Sequence, residues 1–192
     1  MRHSGTALQF ARLEDLGVVE VLGRGRIGAD HVPQAVLERR VSRQAECVGL
    51  RRDHQGDLIA VSVVYALTRS ATEAIESGQI VSGAMLDLPD LASSGEAASL
   101  YIAAVASVPG CGSTALALLW QHLAGTFAAH GAIDGIFARA ATASGARLLE
   151  RSRFTRLEPP SEIWARRIDT GMRNALGRGG EIDATAIAAL LG

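Results

Sequence analysis

The sequence predicts an α/β domain built on a mixed sheet with helices on both faces. Three observations carry that reading. Short β-rich runs alternate with helix-period segments along most of the chain. Two of those runs, Cys47 to Arg52 and Leu58 to Leu67, flank the polar stretch Asp53-His54-Gln55-Gly56-Asp57, a hairpin signal. A run of small and β-branched residues from Leu100 to Val108 then ends at Pro109 and passes, through Gly110-Cys111-Gly112-Ser113-Thr114-Ala115, straight into an apolar helix pattern.

Taken in order, Ala7 to Glu14 alternates and reads as a first strand. Asp15 starts a weak helix through Val21, interrupted by glycines at 23, 25 and 28. Val32 to Arg43 is a second helix, with Pro33 in its first turn and Arg39, Arg40 and Arg43 on its outer face. Leu58 to Leu67 is almost continuously apolar, the pattern of a central strand. Arg69 to Gly95 holds a short helix (Thr72 to Ser77) and a loop rich in Gly, Ser, Asp and Pro, read as an inserted surface segment on the substrate side. After the glycine turn and its helix come a strand (Ile133 to Arg139), a helix (Ala143 to Arg151), a short strand (Phe154 to Leu157) and a last strand (Glu162 to Ile168). Residues 1–168 are expected to form the domain. Residues 169–192 form a tail whose small helix, Ala184 to Leu191, packs on the body or on a second subunit of a homodimer.

A chain of 192 residues is long enough for one well-filled core. The net charge of −1 gives no reason to expect nucleic acid or an anionic membrane as partner. All 19 basic residues are arginine, which excludes a Schiff-base lysine, a Walker lysine and a lysine base. Cys47 and Cys111 make no metal or CxxC spacing, and the N-terminus carries no signal-peptide pattern, so a reducing cytoplasm is the expected setting. The longest apolar run is too short to span a bilayer.

Strand, glycine turn and helix together present several backbone N–H groups at a positive helix end, which suits a phosphate. Gly110 to Ala115 fits the dinucleotide pattern GxGxxA, with Arg139 available for a 2′-phosphate. Against that reading, the motif lies past the middle of the chain and too few residues follow to complete such a fold. The wider element order, from Leu8 to Ile168, resembles the GNAT superfamily of acyl-CoA N-acyltransferases. With Val105 on the family's motif valine, Ala115 falls on the last small residue of the R/Q-x-x-G-x-G/A turn, and Leu118 and Leu119 on its leucine pair. That register puts Gly110 at the basic position and Ser113 at the middle glycine; a three-residue shift puts Ser107 at the basic position. Thr142 to Phe154 matches the second signature, N-x-x-A-x-x-L-Y-x-x-x-G-F, at Gly145, Leu148 and Phe154, but has Thr142, Leu149 and Arg153 where the family has asparagine, tyrosine and glycine.

The resemblance implies a mixed, mostly antiparallel sheet of six or seven strands that binds acetyl-CoA or another acyl-CoA. Val105, Ala106, Ser107, Gly110, Cys111, Gly112, Ser113, Thr114 and Ala115 would hold the cofactor, with Arg147 replacing the missing charge. It implies transfer of an acetyl group to a primary amine, on a small molecule or on a protein N-terminus or lysine. Leu149 cannot protonate a departing thiolate, so Tyr101 is the candidate acid and Glu96, just before its strand, the candidate base. Asp87 and Asp90 are further acidic candidates. Tyr101 can equally be a core aromatic, and the acids solvated loop residues. Cys111 could carry an acyl group, or simply serve the tight turn. The altered motifs leave open a domain that binds acyl-CoA or a protein partner without turnover. They also leave open transfer from a carrier protein docked on Arg39, Arg40, Arg43, Arg51 and Arg52.

Overall fold

The computed structural model describes residues 8–28 and 31–177. In chain order the elements are β1 (Gln9–Phe10), α1 (Leu16–Ile27), α2 (Gln34–Arg43), β2 (Val48–Arg52), β3 (Leu58–Leu67), α3 (Arg69–Glu76), β4 (Ser99–Ser107), α4 (Gly112–His130), β5 (Gly135–Arg139), α5 (Ala143–Arg151), β6 (Thr155–Arg156), β7 (Ile163–Arg167) and α6 (Thr170–Gly177). The strands form one sheet in the order β1-β2-β3-β4-β5-β7-β6. Every neighbouring pair is antiparallel except β4 and β5, which run parallel. The expected mixed, mostly antiparallel architecture is therefore what the chain adopts.

β3 shows why an unbroken apolar run marks a central strand. Val61, Val63, Tyr65 and Leu67 point to one face and join Leu16, Val19, Leu37, Val41, Ala71 and Ile75 of the first three helices. Val64 and Ala66 point to the other and join Leu119, Leu123 and Phe127 of α4 and Met172 and Leu176 of α6. Both faces are dry, so no polar alternation survives.

Several expectations are corrected. β1 is only two residues long, and Leu13–Asp15 form a 3-10 turn instead of continuing it. α1 continues through Gly23 and Gly25 to Ile27, because Leu16, Val19, Leu22 and Ile27 all pack on the core and offset the roughly 1 kcal/mol that each helical glycine costs. α6 begins just past residue 168 and buries Met172 and Leu176, so this part of the expected tail packs against α4. The helix expected over Ala184 to Leu191 lies outside the described residues. The arginines that are close in sequence separate in space. Arg40 is buried, Arg51 reaches Gln121 Oε1 at 2.5 Å, and Arg52 pairs with Asp15 at 2.6 Å. They form no continuous basic face for a carrier protein.

His122, on α4, is fully buried. Its Nε2 lies 2.7 Å from the Glu46 carbonyl and therefore donates, so Nδ1 accepts from the Ser62 hydroxyl at 2.8 Å. A Cβ at Gly49 would come within 2.9 Å of that Nδ1 and 2.8 Å of the Ser62 oxygen, which is why β2 carries a glycine there. Burial pushes the His122 pKa down to about 4. The folded state therefore refuses a proton that the unfolded chain accepts below about pH 6.5, and stability is lost as pH falls from there to about 4, by roughly 3 kcal/mol in all. Denaturant melts across this window are expected to lose less stability in His122→Gln than in the wild type; identical slopes would contradict the assignment.

Candidate functional site

The site is built where the sheet parts. β4 and β5 pair from Ser99↔Gly135 to Ile102↔Ala138. β5 then ends at Arg139 and the chain turns into α5, while β4 continues to Ser107. Residues 103–107 thus have no strand partner on the β5 side. On the other side the β3–β4 register jumps from Val63↔Ala104 to Val64↔Ile102, leaving Ala103 as a bulge. Ala103 and Ala104 consequently both pack toward the α1–α2 face, and Val105 turns with Ile102 toward α4. Simple alternation would put Tyr101, Ala103 and Val105 on one face; the bulge keeps Tyr101 and Ala103 together and sends Val105 to the opposite side.

Past β4, the Cys111 N–H closes the turn onto the Val108 carbonyl, and Gly110 takes φ +82°, a conformation that favours glycine. The first bond within α4 runs from Ala115 N to Cys111 O, so the N–H groups of Gly112, Ser113 and Thr114 precede the helical ladder. Cys111 makes no side-chain cap, and the first turn carries no acidic residue. Gly112 and Ser113 are exposed. This end of a 19-residue helix meets solvent with its amide donors forward, beside the free edge of β4. Ala106 and Ala115 are buried beneath it, while Ser107 and Thr114 are half-buried.

α5 follows β5, the strand that parts from β4. Thr142 caps it by accepting from Gly145 N at 3.0 Å. Arg147 is exposed, 3.5 Å from the Ser144 hydroxyl, and Leu149 packs on the α4-side core. The helix ends in a Schellman turn, with Phe154 N bonded to Leu149 O and Arg153 N to Glu150 O. Arg153 takes φ +59° there. This is the position at which the second signature calls for glycine, so the backbone keeps the geometry that the side chain opposes. Arg153→Gly is expected to stabilise the fold by up to about 1 kcal/mol, read as a higher denaturation midpoint; a lower midpoint would contradict the strain argument.

A cavity of about 280 Å³ opens on the α1–α2 side of the parted strands, lined among others by Tyr101, Ala103, Arg40, Arg139, His31 and Gly83. Tyr101 is only 2% exposed. A Cβ on Gly83 would lie 2.5 Å from its ring and hydroxyl, so glycine is what lets the 83–85 turn close over the phenol. Burial pushes the Tyr101 pKa up to about 12, outweighing a backbone hydrogen bond at Gly83 and the charges of Arg139 and Arg40, so at neutral pH it is a proton donor. Arg139 binds Glu162 at 2.6 Å. His31 is tied to the Gly28 carbonyl at 2.9 Å and to Glu20 at 3.4 Å.

The candidate carboxylates lie elsewhere. Glu96 is exposed and precedes Ser99, at the end of β4 opposite the splay. Asp87 and Asp90 hold each other's backbone in a 3-10 turn. Arg40 and His31 were missed as cavity residues. For Arg40 a signal existed: with Leu37 and Val41 it makes an i, i+3, i+4 set on the buried face of α2.

No protein-family model and no curated protein matches the sequence. Solved structures do match the fold. One is a GphF GNAT-like decarboxylase in complex with isobutyryl-CoA, at TM-score 0.56 and 15% identity over 80% of each chain. Another is Ard1 from Thermoplasma volcanium, at TM-score 0.56 and 11% identity over 85% of this chain and 97% of that one. A third is a GNAT superfamily phosphinothricin acetyltransferase from Sinorhizobium meliloti in complex with AcCoA, at TM-score 0.54 and 12% identity, covering 85% and 88%.

The chain has the GNAT fold.

At these identities the likeness is one of architecture. Within the GNAT fold described here, no described helix is long and apolar enough to cross a membrane. No group of three or more His, Cys, Asp or Glu side chains able to hold a metal ion occurs among the described residues.

Proposed function

We propose that this chain is an acyl-CoA-dependent N-acyltransferase, with acetyl-CoA as donor and a primary amine as acceptor. The observation that carries the proposal is the splay of β4 from β5, with an uncapped helix end following β4 and a cavity holding a protonated tyrosine on the α1–α2 side. Structures of the same fold in complex with isobutyryl-CoA and AcCoA support it. The residues fit the group. Gly110, Gly112, Ser113 and Thr114 would offer backbone N–H groups to the pyrophosphate, Cys111 and Ala115 would hold the turn in shape through their own backbone bonds, and the edge from Val105 through Ala106 and Ser107 would pair with the pantetheine arm. Arg147, exposed on α5, would supply the charge that the turn itself lacks.

Bound acyl-CoA supplies an activated thioester carbonyl. The chain then has three tasks. Backbone donors beside Ala103 stabilise negative charge on the carbonyl oxygen. The cavity wall aligns the amine for attack, so that a C–N bond forms as the C–S bond breaks. Tyr101 donates its proton to the departing sulfur, and the ammonium proton leaves through water. Both described cysteines, Cys47 and Cys111, are free. Leu149, in place of the family's tyrosine, favours a second reading in which the domain binds acyl-CoA without turnover. Calorimetric titration with acetyl-CoA tests the assignment shared by both readings. One-to-one binding is expected, and no heat at millimolar cofactor would overturn it.

A further inference from the structure

The cavity beside Tyr101 carries a charge that the transfer reaction does not explain. Arg40 is 6% exposed, and its guanidinium lies 4.6 Å above the Tyr65 ring. One N–H donates to the Leu86 carbonyl at 2.7 Å. Among the described residues no carboxylate pairs with it, although a guanidinium offers five donors and its charge is costly to bury uncompensated. Of the described groups around it, Asp87 lines a second hollow with Arg40 but forms no ion pair with it, and the others supply no negative charge at neutral pH. Tyr65 and Tyr101 both have pKa values pushed up to about 12 by burial, and burial likewise pushes the Cys47 thiol up to about 12. Arg139, which also lines the cavity, is cationic and already engages Glu162. Among the described residues no Asp or Glu lines the cavity.

We infer that this cavity binds an acceptor carrying a carboxylate, which docks against Arg40 while its amine lies near the Ala103 bulge. The inference rests on the transfer reading above and names the acceptor class within it. A volume of about 280 Å³ lies at the lower end of small-molecule sites, which suits a free amino acid better than a lysine or N-terminus presented by a folded protein. In those two the main-chain carboxyl is tied up as an amide, so Arg40 would gain no counter-charge.

The test compares α-amino acids with their carboxamides, which differ only in the charge. For the wild type, kcat/KM for release of coenzyme A from acetyl-CoA is expected to be about 10- to 100-fold higher with the acid than with the amide, the range of one charge-assisted hydrogen-bond pair. In Arg40→Met that ratio is expected to collapse toward one, while Arg40→Lys retains part of it. If the variants fail to fold, the wild-type ratio alone decides. If no amine is acylated, the transfer reading fails while this one is still decided by equilibrium binding of the same pairs to the coenzyme A-bound protein, with the same preference expected. Equal binding of acid and amide overturns the inference. So does malonyl-CoA binding tighter than acetyl-CoA without discrimination between the amine pairs, which would move the carboxylate onto the acyl chain.

Discussion

Gly112→Glu is expected to raise the dissociation constant for acetyl-CoA by about 100-fold or more, equivalent to about 2.7 kcal/mol, and to remove the thermal shift that the cofactor gives the wild type. The effect should be confined to binding. A Cβ at Gly112 meets nothing within 4 Å, so the new side chain strains no neighbour. A carboxylate in the first turn of α4 would even favour the helix, because it meets the positive end of the dipole and donors that have no intrahelical acceptor. The same carboxylate takes the place intended for the pyrophosphate and repels it. Gly112→Ala serves as the control, since a methyl group is accommodated without adding charge. A variant that kept its affinity would show that the phosphates bind elsewhere.

Tyr101→Phe is expected to lower kcat by about 100-fold while leaving the affinity for acetyl-CoA within about 2-fold, the signature of a proton donor that acts on the leaving group. Phenylalanine keeps the ring beneath Gly83 and the packing with the α1–α2 core, so the loss reports the hydroxyl alone. With its pKa pushed up to about 12, the tyrosine stays protonated throughout the range in which the protein can be assayed. The rate should therefore rise with pH as the amine acceptor loses its proton, with no falling limb from Tyr101 below about pH 11. An unchanged kcat would transfer the acid role to water.

Much of the fold was legible because local patterns and tertiary packing agree. The hairpin turn at 53–57, the dry run of β3 and the passage from β4 through Gly110 into α4 each follow from periodicity and turn chemistry, and all three appear where expected. The site was less legible. A bulge at Ala103 leaves no mark in a run of small residues, so nothing in the sequence warned that Val105 would change face. α4 is apolar nearly all round, which concealed that His122 faces the interior. Arg40 was grouped with its arginine neighbours by sequence proximity, although helical spacing placed it with Leu37 and Val41. Glu96 looked close to the chemistry along the chain, but a strand separates its two ends by its full length, and the splay is at the other end. Arg153 shows the reverse situation: a substituted motif residue whose backbone still takes the conformation suited to the original glycine.

The central claim is that an amine is acylated at the parted strands, and the direct measurement is amine-dependent release of the coenzyme A thiol from acetyl-CoA. The account predicts release that rises with the concentration of a carboxylated amine, saturates, and disappears in Gly112→Glu. Thiol release that is absent with every amine, or that proceeds equally without one and in Gly112→Glu, would contradict it.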